Sequence, residues 1–244
     1  MNEADKRDQA KHIGIVACSA EGAALCYTTI CIEAAKMMGR HNHPEVSTHT
    51  PPFAHYMNCL YANDWQGVAD LMLSSAEKLA RTGADFLICP DNTIHNAMPL
   101  VRSRSPLPWL HIAEEVTADA KRRGFDKVGI LGTRYLVESD VYPEKFTERG
   151  IAFACPTKSQ REEINRIIFD ELVCGNFRED SVRYLLKVIE GLKQLDCDAV
   201  VLGCTEIPLI INDTNSPLPT LDSTRLLARA ALRHAVNART ERRS

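Results

Sequence analysis

Cys204, Thr205 and Glu206 follow an apolar run, Ala199–Leu202, and a glycine. A thiol, a hydroxyl and a carboxylate delivered together can move protons and hold an anion, the chemistry of an acid–base site. A second stretch is built in the same way. There the run Phe86–Cys89 ends in Pro90, and Asp91, Asn92, Thr93 and His95 follow. Each group sets an acid/base candidate beside a threonine. Read singly, Cys204 is equally a small buried hydrophobe, as most free cysteines are.

Such groups need elements that present them. The β-branched run Ala199–Leu202 reads as a buried parallel strand, broken by Gly203 and kept from continuing by Pro208. In open α/β sheets ligands bind outside the carboxyl ends of the strands, where both groups would stand. Two strand ends of one design predict two halves facing one cleft. His12–Ala17 is a further strand, turned by Cys18–Gly22 into the helical stretch Ala23–Met38. Strand, small-residue turn and helix make an anion-binding arrangement, and Ser19 lies in that turn. Gly14 and Gly22 are too far apart for a dinucleotide fingerprint, and no phosphate-loop G-K-[ST] occurs. ATP and NAD are therefore disfavoured, and a small carboxylate fits.

Periodicity predicts a helix over Asp64–Thr82, closed by Gly83, and a short strand over Trp109–Ile112. A second unit repeats the opening, with the helix Glu114–Arg123, the strand Lys127–Leu131 and the turn Gly132–Tyr135. Ser159–Val173 reads as one long helix ended by Gly175, and Asp180–Leu195 as another. A short strand at Leu218–Leu221 and the helix Ser223–Ala238 close the chain. This alternation predicts an α/β fold with doubly wound parallel sheets. His41, His43, His49 and His55 lie in a segment read as polar loop and strand, since no carboxylate pattern accompanies them as in a metal site.

With 244 residues, 45% of them hydrophobic, the chain can bury a sizeable core in one large or two small domains. A net charge of -3 gives no electrostatic reason to expect nucleic acid or an anionic membrane as partner. Arg239, Arg242 and Arg243 read as a solvated tail. No run approaches the roughly 20 apolar residues that span a bilayer. Residues 1–11 read as a frayed start, and MNEADKRDQAKH lacks the apolar core of a signal peptide. The nine cysteines are odd in number and contain no C-x-x-C pair, which argues against zinc and disulfide frameworks and for a reducing cytoplasm.

Several stretches resemble one family. HIGIVA, PDNTIH, LPWLHIAEEV, KVGILGT, IIFDELVCGNF, GCTEIPL and LPTLDST occur in its order over almost the whole chain. The chain resembles the cofactor-independent aspartate/glutamate racemases, a family that also holds hydantoin racemases, maleate isomerases and arylmalonate decarboxylases. GCTEIPL is similar to the aspartate racemase branch. The resemblance implies two pseudo-symmetric α/β halves with the active site between them. It places the first half at residues 1–113, the second at 114–222, and the C-terminal helix 223–244 back on the first. It also implies an acidic amino acid as substrate, no pyridoxal phosphate, no metal and no other cofactor, and leaves a homodimer open.

Racemases of this family use two cysteines on opposite faces of the α-carbon, because one base returning its own proton regenerates the starting isomer. The second maps onto Cys204. The first maps onto Asp91, where the chain departs from the pattern. A carboxylate can replace the thiol if desolvation raises its proton affinity. Equally, Asp91 can simply bond its own loop. Asn92, Thr93, Thr133, Thr205 and Ser19 can hold a substrate carboxylate and stabilise the enediolate-like charge. Glu206 can orient Thr205 or receive an amino group. The alternatives are a decarboxylase or cis–trans isomerase of a dicarboxylate using Cys204 alone, and a non-catalytic ligand-binding protein.

Overall fold

The computed structural model describes residues 10–241. Most of the expected frayed start lies outside the described residues, as do Arg242 and Arg243 of the expected tail. The chain divides into two units, one ending at Ile112 and resuming at Leu227, the other Ala113–Leu226.

The first unit contains β1 (Ile13–Val16), α1 (Ala20–Glu33), β2 (Val46–His49), α2 (Phe53–Tyr61), α3 (Trp65–Arg81) and β3 (Phe86–Ile88). Its sheet has the order β2-β1-β3, all parallel. The central strand is wholly buried because helices cover both of its faces. Ile13, Ile15, Phe86 and Ile88 pack against Cys26 and Ile30 of α1. The expected helix over 64–82 begins at an Asp64 cap, whose Oδ1 accepts from Gly67 N at 2.8 Å, and ends at Thr82. The expected strand at Trp109 is reduced to one bridge with Leu87.

The second unit begins within α4 (Ile112–Arg122) and continues through β4 (Lys127–Leu131), β5 (Ala152–Ala154), α5 (Lys158–Arg166), α6 (Glu179–Lys193), β6 (Ala199–Leu202) and β7 (Thr220–Asp222). Its parallel sheet has the order β5-β4-β6-β7. Side chains alternate along β6 with the two-residue strand period. Val200 and Leu202 pack with Leu185, Ile189 and Leu192 of α6, whereas Ala199 and Val201 pack with Val116 and Ala120 of α4. The last helix, α7 (Ser223–Glu241), starts in this unit and finishes in the first. There Leu227, Ala228, Ala231 and Ala235 complete the core around β1 and β3.

The long helix expected over 159–173 is interrupted. After Arg166 the chain takes a π turn, Ile167–Glu171, then a 3-10 turn, Leu172–Cys174, and stops at Gly175 with φ +70. The widened turn carries Glu171 inward, where its carboxylate accepts from Arg166 Nη1 at 2.9 Å and from the Ser181 hydroxyl.

Both sheets are wound outward from their first strand. In each, the second strand lies on one side of the first and the third on the other, so the windings part between β1 and β3 and again between β4 and β6. The carboxyl ends of those pairs are where such sheets open a crevice for ligands.

Candidate functional site

In the second unit, β4 and β6 pair with Leu131 opposite Leu202, so Thr133 and Cys204 each come two residues past a matched pair. Between them lie Gly132 and Gly203, where a side chain would be excluded at Gly203 and crowded at Gly132. A Cβ on Gly203 would stand 2.7 Å from Leu131 O, and one on Gly132 would stand 3.1 Å from Gly203 O. The strands therefore stay bonded to their very ends, with Gly203 N donating to Leu131 O at 2.7 Å. The polar residues emerge side by side. Thr133 Oγ1 accepts from Leu136 N at 3.2 Å and caps the short helix that follows. A hydroxyl that accepts in this way still carries an O–H to donate.

Past Gly203 the chain turns tightly, with Ile207 N donating to Cys204 O at 3.3 Å, and enters a 3-10 turn at Ile207–Leu209. This turn folds Glu206 back over Cys204. The Cys204 thiol donates to Glu206 Oε2 at 2.8 Å. Both side chains are buried, at 8% and 2% exposure, as is Thr205. Glu206 thus serves as an acceptor for the thiol, a role the sequence did not suggest. The pair places a carboxylate where it can take the thiol proton and leave a thiolate nucleophile or base.

In the first unit, the pairing of Ile15 with Ile88 sets Cys18 and Asp91 each three residues beyond a matched pair. Ser19 caps α1, its Oγ accepting from Gly22 N at 3.4 Å. Asp91 is half-buried, and its Oδ1 accepts from Ile94 N at 3.2 Å. This bond holds the loop into the 3-10 turn Thr93–Ala97, along which Asn92 and Thr93 are buried. It is the loop bond that aspartate in turns favours, and it occupies one of two carboxylate oxygens. Cys89 is fully buried and its thiol reaches Asp91 O at 3.8 Å. Burial, with the charge of Asp91 adding to it, pushes that thiol well above its ordinary value, so Cys89 is a neutral core group.

His95 is fixed between two backbone groups. Its Nδ1 is 2.7 Å from Asp91 O, and its Nε2 accepts from Ile112 N at 3.3 Å. A ring donating at Nδ1 and accepting at Nε2 is a neutral tautomer engaged at both ends. His95 therefore belongs to the scaffold that shapes the Asp91 loop.

The structure thus brings Thr133 together with Cys204, Thr205 and Glu206 at one pair of strand ends, and Ser19 together with Asp91, Asn92 and Thr93 at another. Sequence reasoning passed over Tyr56 on α2. Its phenol is buried beside the acidic groups of Cys18, Cys89 and Asp91. No spacing marks it, because its neighbours come from β1 and the loop after β3. Among the described residues no cluster of three or more His, Cys, Asp and Glu side chains could hold a metal ion. Of the four histidines at 41–55, His49 is bonded to Ser75 Oγ at 2.9 Å and to Lys78 Nζ at 3.0 Å, while His43 Nδ1 lies 2.8 Å from Pro44 O. None of the helices described is long and apolar enough to cross a membrane.

The Asp/Glu/hydantoin racemase family model matches residues 13–231. Among solved structures, a Yersinia pestis protein assigned to the Asp/Glu racemases superposes with a TM-score of 0.84 at 31% identity, over 93% of this chain and 99% of that one. An aspartate racemase homologue from Pyrococcus horikoshii gives 0.78 at 27% identity, over 92% and 99%. The broad specificity amino-acid racemase of Bacillus subtilis is 24% identical over 66% of this chain and 69% of its own. Alignments with glutamate racemases of Hydrogenobaculum and Thermus thermophilus, at 29% and 31% identity, span 55% and 57% of those proteins.

Proposed function

The chain belongs to the Asp/Glu/hydantoin racemase family, whose glutamate and aspartate racemases are isomerases, and on that premise we propose that it racemises an acidic amino acid, aspartate or glutamate, without a cofactor. The observation that carries this reading is the buried bond from the Cys204 thiol to Glu206 Oε2. In the proposed cycle Glu206 takes the thiol proton, and the Cys204 thiolate removes the α-proton from one face of the substrate. Asp91, carrying a proton, delivers it to the other face and is left as a carboxylate. Each turnover leaves Glu206 protonated and Asp91 ionised, and loss of the Glu206 proton to water and uptake of one by Asp91 return both groups to their starting states. Ser19, Asn92, Thr93, Thr133 and Thr205 supply donors for the carboxylate on which enediolate charge builds, the interaction that usually dominates such catalysis.

A small carboxylate as the partner is consistent with these donor-rich strand ends. The nine cysteines, none of them in a disulfide, support a reducing cytoplasm as the setting. A homodimer is the assembly we propose. The test is conversion of L-aspartate and L-glutamate to their D forms, followed by chiral chromatography. We expect turnover by the wild-type chain and none by a folded Cys204→Ser variant. Full activity in Cys204→Ser, or none with either amino acid in the wild type, removes the reading.

One observation favours a second reading. The bond from Ile94 N to Asp91 Oδ1 gives that carboxyl a structural task. If that is its whole task, Cys204 acts alone, as proton donor in a decarboxylase or as nucleophile in a cis–trans isomerase of a dicarboxylate.

A further inference from the structure

Tyr56 is fully buried on α2, and its hydroxyl has no hydrogen-bond partner. Buried hydroxyls are almost always bonded, so an orphan of this kind calls for a reason. Its surroundings supply one. The phenol is held far above its ordinary ionisation, first by burial and then by the neighbouring acidic groups of Cys18, Cys89 and Asp91. Those residues follow β1 and β3, so the hydroxyl lies at the parting of the first sheet, beside the Asp91 loop. The Ser75 hydroxyl is near enough to oppose that shift, but it makes no bond of ordinary length with the phenol and is engaged with Leu71 O at 3.1 Å and His49 Nδ1 at 2.9 Å. The nearby thiols are weak acceptors, and Asp91 Oδ1 is engaged by Ile94 N.

A phenol that stays protonated is a fixed donor, and what it lacks is an anionic oxygen. We propose that Tyr56 is a substrate-binding residue of the first unit, whose hydroxyl donates to a carboxylate oxygen of the bound ligand. This rests on the acidic-amino-acid reading for the identity of that ligand. It assigns a residue outside the strand-end loops to recognition.

Tyr56→Phe removes only the oxygen, and the proposal sets stability against binding. With no ligand present, the variant should melt at or slightly above the wild-type temperature, because an unbonded buried hydroxyl contributes nothing favourable to the fold. Its KM for the acidic amino acid should rise by about tenfold or more, the loss of one charge-assisted hydrogen bond, with kcat moved less. A melting temperature several degrees lower, or an unchanged KM, overturns the assignment. The rise in melting temperature with L-aspartate or malonate gives a reading that needs no turnover. If the wild type racemises nothing yet shows this rise, and Tyr56→Phe loses it, the racemase reading falls and the donor assignment stands. If the wild type racemises and the variant keeps its KM, the reverse holds. No rise with either ligand in a wild type that also racemises nothing overturns both.

Discussion

The Cys204 thiol and the Glu206 carboxylate are joined at 2.8 Å inside the turn that follows β6, and both are shut away from solvent. A thiol becomes a base only by losing its proton, and here the receiving oxygen is already in contact. Glu206→Gln keeps the size of the side chain and an acceptor oxygen but cannot take up a proton. Its kcat should fall by about 10²–10⁴-fold, the usual contribution of a positioned acid–base group, with KM little changed. Steady-state kinetics on the folded variant checks this, and a kcat within twofold of wild type would assign Glu206 a packing role only.

Substitution can separate the structural task of Asp91 from its proposed catalytic one. Asp91→Asn keeps an oxygen for the bond from Ile94 N, so its melting temperature should match that of the wild type, while interconversion stops. Exchange of the α-hydrogen facing Cys204 with solvent should persist. Asp91→Ala also removes the loop bond and should lose about 1 kcal/mol of stability as well. Racemisation at the wild-type rate in Asp91→Asn would show that another group serves the second face. His95 is a poor candidate for it, since both ring nitrogens are bonded to backbone.

Acid sensitivity should be concentrated at the π turn. The Ser181 hydroxyl first, and the Arg166 guanidinium after it, hold the Glu171 carboxyl below its ordinary value of 4.5 against the opposing pull of burial. A carboxyl depressed in the folded state contributes stability that is fully present above the unfolded value and lost as pH falls through the folded one. Glu171→Gln should therefore lower stability by about 1–2 kcal/mol near neutral pH. The gap between the two proteins should close as the pH drops below 4.5. Thermal unfolding from pH 7 to pH 3 measures it, and a gap that widens toward acid would reverse the sign of this linkage.

The fold was legible because its punctuation is local. Apolar β-branched runs ending in Gly203 or Pro90, and the cap at Asp64, mark where elements stop regardless of the rest of the chain. The partners of the polar residues were not legible. The contact of Cys204 with Glu206 depends on the 3-10 turn at Ile207–Leu209, which no spacing rule encodes for residues two apart. The interruption after Arg166 brings Glu171 to Ser181, ten residues beyond Glu171 and in another helix, so periodicity alone reads straight through it. The Tyr56 hydroxyl lies near Cys18 and Asp91 only because β1 and β3 are neighbours in the sheet.

In the proposed reaction, protons enter and leave the α-carbon through two different groups, Cys204 and Asp91. Reaction of L-aspartate, or L-glutamate if that is the better substrate, in deuterated water tests it most directly. Chiral separation and mass spectrometry are applied while only a few per cent has turned over. Two-base transfer gives a D enantiomer that carries deuterium at the α-carbon while the recovered L enantiomer remains unlabelled. Deuterium entering the recovered L enantiomer as fast as the D product, or a D product that keeps the original proton, would contradict it.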